Sequence, residues 1–223
     1  VAIVLVDGTS RGIAIGIQGY PSRGVDEPSG ELNVRGSREG FVEVIRRNMA
    51  LIRRRIKSPT LVFEMMVIGE RSNTDICLCY LSDKASPKLL EDVKKRLKTV
   101  KLNTILESGY LQPFFEGSGG WFFSECGTCE RPDSFAAKLY EGRIGILVDG
   151  TPFALTVPYL FIENFQTLDD YTQKPFYALF IRIVRLAAYF ITLFLPGAYV
   201  AIASYSPEPV SYTHLTLPTS DLV

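Results

Sequence analysis

The sequence predicts a mixed α/β (α+β) domain in two lobes, lying on the cytosolic side of a membrane and followed by at least one transmembrane helix. Three observations predict it. First, residues 186–205, LAAYFITLFLPGAYVAIASY, form a charge-free run of 20 residues. A helix of about 20 residues crosses the roughly 30 Å hydrocarbon core of a bilayer. Second, the preceding chain alternates between periods of two and of 3.6, in the order hairpin, helix, strand, strand, helix. That order belongs to a sheet with helices packed on it rather than to a wound parallel sheet. Third, residues 117–120, GSGG, interrupt the patterning and set a boundary between lobes. The expected organisation is one subdomain over residues 1–116, a second with lead-in helices over 117–181, and the first membrane helix over 182–205.

Each element follows from local chemistry. Residues 1–6 and 11–18 are apolar runs on either side of Asp7-Gly8-Thr9-Ser10, and Asp-Gly is a tight-turn signal, so they predict a β-hairpin. Residues 19–36, rich in Gly, Pro and acid, predict an ordered loop. Ser37 is placed as an N-cap with Glu39 in the first turn. Phe41, Ile45, Met49, Ile52 and Ile56 then recur at helical spacing, and Ser58-Pro59 stops the helix. Residues 60–68 and 74–81 predict two strands, and residues 87–98 a helix with Leu89, Leu90, Val93 and Leu97 inward. Residues 103–115 start as helix. Asp133 caps a helix over 134–141, which Gly142 ends. Residues 143–148 and 153–157 predict strands around Asp149-Gly150-Thr151-Pro152, so LVDGT of residues 5–9 returns at 147–151 as the same turn chemistry. Residues 158–165 and 169–185 predict helices leading to the span. Tyr159, Phe161, Phe165, Tyr171, Phe176, Tyr177 and Phe180 suit an aromatic belt at the membrane interface.

In the span, Arg182 and Arg185 precede the apolar run and no Lys or Arg follows it, which puts the N-terminal side in the cytoplasm. Pro196 is tolerated in a membrane helix, where neighbours satisfy the freed carbonyl. The alternative is a buried core helix. The chain opens on Val1 directly into a strand-like run, so a preceding segment is expected to be missing. Residues 210–223, VSYTHLTLPTSDLV, continue no pattern and are expected to be a non-native tail of translated sequencing adapter.

The chain of 223 residues carries 24 Lys and Arg against 24 Asp and Glu, so no net charge draws it to nucleic acid. Its single histidine, His214, lies in the tail. Ser-His and Cys-His nucleophilic pairs and His-ligated metal sites are thereby removed. Asp7, Glu107 and Asp149 stand beside glycines and read as turn formers and caps rather than catalytic carboxylates. No phosphate-binding glycine loop is present. Cys126-Gly-Thr-Cys129 fits a redox pair, or half a zinc site completed by Cys77 and Cys79. Nothing in the sequence brings the two pairs together, and ordinary reduced cysteines account for all four. The expectation is a non-enzymatic chain with no catalytic residue, no cofactor and no metal. Charge is concentrated on the first helix, where Arg46, Arg47, Arg53, Arg54, Arg55 and Lys57 share the polar side. They make either a solvated face paired with local acids or a contact surface for anionic lipid or a partner subunit.

Several stretches together resemble the A subunit of the GerA-type spore germination receptors. They are VRGSREGFVEVIRRNMALIRRRIKSP (34–59), TDICLCYL (74–81), ILESGYLQPF (105–114) and TCERPDSFAAKLYEGRIGILVDGTPFALTVPYLFIENFQTLDDY (128–171), with the span that follows. Ser37 departs from the proline usual in that family, and the family does not reserve the positions of Cys126 and Cys129 for cysteine. The resemblance implies a two-lobed cytosolic domain ahead of several membrane helices in the spore inner membrane. It implies assembly with a B-type transporter-like subunit and a C-type lipoprotein, self-association, and coupling of nutrient sensing to ion release through a channel. A membrane-tethered cytosolic domain that binds a small molecule or acts as a scaffold is the alternative function.

Overall fold

The structure is a computed structural model and describes residues 2–5, 7–8, 12–15, 24–28, 30–31, 36–116, 124–167, 170 and 173–205. The chain divides into two compact units, Val1–Phe161 and Ile162–Val223. The first holds β1 (Ala2–Leu5), β2 (Gly12–Ile15), α1 (Ile45–Arg55), β3 (Leu61–Ile68), β4 (Thr74–Leu81), α2 (Pro87–Thr99), α3 (Gln112–Phe115), β5 (Gly127–Cys129), α4 (Pro132–Tyr140), β6 (Ile144–Val148) and β7 (Ala154–Val157). β1 and β2 pair antiparallel with Ala2 opposite Ile15, and the other five strands form one antiparallel sheet in the order β3-β4-β6-β7-β5. The repeated LVDGT motif does close two hairpins, β1–β2 and β6–β7. At each turn the glycine takes the positive φ that other residues resist, 86° at Gly8 and 88° at Gly150.

Strand alternation builds a core on each face of the sheet. In β4, Cys77, Cys79 and Leu81 point to the face covered by α1 and α4, where Ile45, Leu51, Ile52, Phe135 and Leu139 are buried. Ile76 and Leu78 point the other way, to Val93 and Leu97 of α2 and Phe115 of α3. Phe41 and Phe135 meet edge to face, with centroids 5.5 Å apart. The 116/117 boundary expected between lobes lies between strands of this one sheet. β4 from before it pairs with β6 from after it, Ile76 opposite Val148, so the division is not a division of the sheet. Residues 117–120, on which that expectation rested, lie outside the described residues, as does the tail from residue 210.

Two helices differ from expectation. α1 begins at Ile45 rather than at Ser37, because the chain through Gly40 and Phe41 is held extended: their N–H groups donate to the carbonyls of Asp26 and Glu130 at 2.9 and 2.8 Å. Residues 103–107 are not helical, because their backbone closes the β3–β4 connection instead. The Leu102 and Asn103 carbonyls accept from Glu70 and Arg71, and the Ile105 carbonyl accepts from the Thr74 hydroxyl at 2.6 Å. A 3-10 turn at Ser108–Tyr110 and the short α3 follow.

In the second unit, the helix expected to end at Arg185 and the span beyond it are one continuous helix, α5 (Pro175–Tyr205), of 31 residues. Pro196 lies inside it without ending it. α5 is long and apolar enough to cross a membrane, and only 6% of its most apolar window is buried, so it is not packed as a core helix among the described residues.

Candidate functional site: a clamped basic helix

The six cations that the sequence groups together all lie on or just beyond α1. What positions this helix is supplied from far along the chain. Val44, at the N-cap, has no polar side chain, and the cap comes from the β6–β7 turn. Asp149 Oδ1 accepts the Ile45 N–H at 3.0 Å from 104 residues away. An acceptor oxygen at a helix N-terminus satisfies a free N–H and complements the helix dipole. The same turn adds a backbone bond, Gly150 N–H to the Glu43 carbonyl at 2.8 Å.

The middle of α1 is fixed by Asn48, which is 1% exposed. Its Oδ1 accepts the Val42 N–H at 2.8 Å and its Nδ2 donates to the Val42 carbonyl at 2.6 Å. One side chain thus satisfies both polar groups of a fully buried residue in the extended segment.

The C-terminal end is held by charge. Glu39 accepts from Arg54 and from Arg55, the latter at 2.9 Å, and Arg55 also donates to the Ser37 hydroxyl at 2.7 Å. The hydrogen bond from Arg54 holds the Glu39 carboxyl below its ordinary range. Arg53 donates to the Ser58 and Leu61 carbonyls at 3.1 and 2.9 Å and lies 5.0 Å from the Phe63 ring centroid. Beneath them Arg131, 3% exposed, pairs with Asp133 at 2.5 Å and donates to the Ser37 carbonyl at 2.9 Å. Burial pushes the Asp133 carboxyl up, and Arg131 together with the Ser134 N–H outweighs it, so that it titrates below its usual range.

Arg53, Arg54 and Arg55 brace the helix against its neighbours, and Arg46, Arg47, Arg53, Arg54 and Lys57 all reach solvent. A basic face on a braced helix suits carboxylates, phosphates or an anionic surface. The sequence reading has Asp149 as a turn former or cap without the helix it caps, and it missed Asn48 and the Arg131–Asp133 pair. Asn48 carried a signal, being a polar residue on the apolar stripe three residues after Ile45; the others act across the fold.

Cys126 and Cys129 are split by the sheet, with Cys126 in the α2 and α3 core and Cys129 in the α1 and α4 core. All four cysteines are free and buried, and burial pushes the Cys126 and Cys129 thiols up to about 12. Cys77 and Cys79 lie side by side with sulfurs 3.9 Å apart. Among the described residues no group of three or more His, Cys, Asp or Glu is placed to hold a metal.

Fold and site together define a mixed α/β domain with a braced basic helix, joined in sequence to one helix capable of crossing a membrane. The chain belongs to the Bacillus/Clostridium GerA spore germination protein family, whose match covers residues 1–219. It is 40% identical over 207 residues to the uncharacterized membrane protein YfkQ of Bacillus subtilis, covering 93% of this chain and 40% of that protein. It is 40% identical over 209 residues to spore germination protein KA of the same organism, covering 94% of this chain and 38% of the relative. With B. subtilis spore germination protein B1 it shares 39% over 204 residues, 92% of this chain and 42% of the relative. The chain thus spans about two-fifths of the length of these relatives. Among solved structures it is similar to the N-terminal domain of the A subunit of the Bacillus megaterium spore germinant receptor GerK3. The identity is 44%, with 55% of this chain and 97% of that one covered and a TM-score of 0.45.

Proposed function

We propose that this chain is the N-terminal part of a germinant-receptor A subunit. In this reading it is a non-enzymatic component that couples nutrient sensing to ion release across the spore inner membrane through subunit assembly and channel formation. The β-sheet domain faces the cytosol and α5 crosses the membrane. The B-type transporter-like subunit, the C-type lipoprotein and further copies of the A subunit are its partners. One observation carries the reading: the stretches that carry the family resemblance converge on α1. Ser37 and Glu39 of RGSREGF, Arg131 and Asp133 of ERPD, and Asp149 of the DGTPF run brace this one helix. The helix is held while Arg46, Arg47 and Lys57 stay exposed, as an assembly surface requires.

The test is Arg46→Glu with Lys57→Glu in the full-length subunit, co-produced with its partners in sporulating cells. Arg53, Arg54 and Arg55 are left intact because they hold the fold. At about 1 kcal/mol per cation near an anionic surface, reversing two charges lowers partner recovery at least about tenfold and slows nutrient-triggered germination, with the melting temperature unchanged. Wild-type recovery and germination would remove the basic face from the assembly.

A further inference from the structure

The approach to the membrane helix is built in a way its sequence conceals. The apolar exposure of α5 does not start at Leu186. Phe176 is 83% exposed, Phe180 58%, Ile183 56% and Val184 48%, and by helical periodicity these four share a side. The opposite side carries Ala178, Arg182, Arg185 and Tyr189 and is met by Phe165, Thr167 and Asp170, here called the strap. Asp170, buried, accepts from Arg185 at 2.8 Å and from Arg182 at 3.3 Å. Arg185 also donates to the Phe165 carbonyl at 3.2 Å and to the Thr167 hydroxyl at 3.3 Å. The Asp170 carboxylate takes the Thr167 N–H and hydroxyl as well, at 3.2 and 3.1 Å. Phe165 closes the strap edge to face on Tyr189, with centroids 5.3 Å apart. The two cations that interrupt the apolar run thus have their donors turned inward, onto a carboxylate and strap oxygens.

Length agrees with this. The 31 residues of α5 extend about 46 Å at about 1.5 Å per residue. That matches the roughly 40–45 Å of a bilayer with its headgroup regions rather than the roughly 30 Å of hydrocarbon alone.

We infer that the lipid bilayer is the occupant of the exposed side of Phe176, Phe180, Ile183 and Val184. The hydrocarbon then begins near Phe180, about 9 Å before Leu186, and the Asp170–Arg182–Arg185 cluster is carried into the membrane interface with its two cations sharing one buried carboxylate. Lys174, exposed one residue before the helix, stands at the headgroups. This rests on the reading that α5 crosses a membrane, and it adds that the strap and the first third of the helix belong to the membrane-contacting surface. Charge complementarity within the strap and continuity with the apolar remainder of α5 favour lipid over a protein partner here.

The test uses the full chain in phosphatidylcholine–phosphatidylglycerol vesicles, with Trp121→Phe removing the single tryptophan and one probe restored at a time. Phe180→Trp and Phe176→Trp replace exposed aromatics by aromatics and leave the fold intact. Leu193→Trp, near the middle of the helix, is the control. The expected result is that lipids brominated on the shallow acyl carbons quench the Phe180→Trp probe more than about twofold while aqueous acrylamide barely reaches it, with Phe176→Trp intermediate. Adding Asp170→Asn removes the carboxylate that Arg182 and Arg185 share, and quenching of the Phe180→Trp probe falls about twofold as the segment moves outward. If acrylamide quenches the Phe180→Trp probe freely while bromolipid quenches only Leu193→Trp, the inference fails and the spanning reading stands. If Leu193→Trp is not quenched by lipid either, both fail. Unchanged depth with Asp170→Asn would overturn the role of the shared carboxylate.

Discussion

Asn48 gives the sharpest test of how α1 is positioned. Its side chain closes two hydrogen bonds, at 2.8 and 2.6 Å, to the backbone of Val42, and both residues are essentially inaccessible, at 1% and 0% exposure. Asn48→Leu keeps the volume but strands a buried N–H and a buried carbonyl. Each stranded group costs about 1–3 kcal/mol, and the apolar surface gained returns part of this, so the net loss is about 2–4 kcal/mol. For a chain of this size that lowers Tm by about 6–12 °C. The assay is thermal unfolding of the detergent-solubilised chain at pH 7 by near-ultraviolet circular dichroism, with Met49→Leu as a volume-conserving neighbour expected to cost under about 1.5 kcal/mol. Asn48→Asp adds a sign. The introduced carboxyl is buried against the Val42 carbonyl, so its folded pKa is raised above the ordinary value of about 3.9. Its protonated form donates as the amide did, so that stability is present below the unfolded pKa and lost as pH rises through the folded one. The gap to wild type is therefore smaller at pH 4 than at pH 7. A Tm within about 2 °C of wild type for Asn48→Leu would refute the reasoning, because Val42 would then need partners other than Asn48.

Three further outcomes follow from the packing and the charges. A Cβ at Gly145 would land on the Phe135 ring, which is fully buried and held edge to face by Phe41; Gly145→Ala should cost about 1–3 kcal/mol in urea unfolding, and an unshifted midpoint would mean the ring moves freely. With the Cys126 and Cys129 thiols at about 12, iodoacetamide at pH 8 should label neither in the native chain and both after denaturation, as read by peptide mass, whereas prompt native labelling would contradict their burial. The Glu39 and Asp133 carboxyls are both held below their ordinary range, so their contribution is present above the unfolded values near 4 and is lost as pH falls through the depressed folded values. Glu39→Gln should flatten the acid limb of the stability curve, by a fraction that shrinks in about 1 M salt because this pair is partly exposed, and an unchanged limb would leave Glu39 without a role.

What was legible in the sequence was what neighbouring residues decide. Asp7-Gly8 and Asp149-Gly150 announce their turns because positive φ is a local demand. β3, β4 and α2 follow from periodicity because their apolar faces repeat within a few residues. The start of α1 was illegible for the opposite reason. Ser37 and Glu39 are good capping residues, but their oxygens are engaged by Arg54 and Arg55 on the far end of the same helix, and the acceptor that does cap Ile45 arrives from Asp149. The basic run looked like one surface because periodicity assigns a side of a helix and not a partner. Arg53 finds carbonyls of the following turn and the Phe63 ring, which spacing alone does not disclose. The length of α5 was hidden by Arg182 and Arg185, whose counter-ion lies outside the helix.

The bracing of α1 has a mechanical consequence. A surface helix fixed by its apolar stripe alone can rotate or slide by a fraction of a turn, since dispersion contacts are non-directional. α1 is also fixed by directional bonds at its start, middle and end, to Asp149, Val42 and Glu39. Those three partners belong to two segments, the β6–β7 turn for the first and the chain before α1 for the others, so neither rotation nor sliding satisfies all of them at once. A displacement of α1 is therefore resisted by the β6–β7 turn through Asp149 as well as by the chain before the helix. The same bonds predict that Asp149→Ala lowers stability by about 1 kcal/mol in urea unfolding and speeds hydrogen exchange at the Ile45 N–H, and unchanged exchange there would remove Asp149 from the bracing.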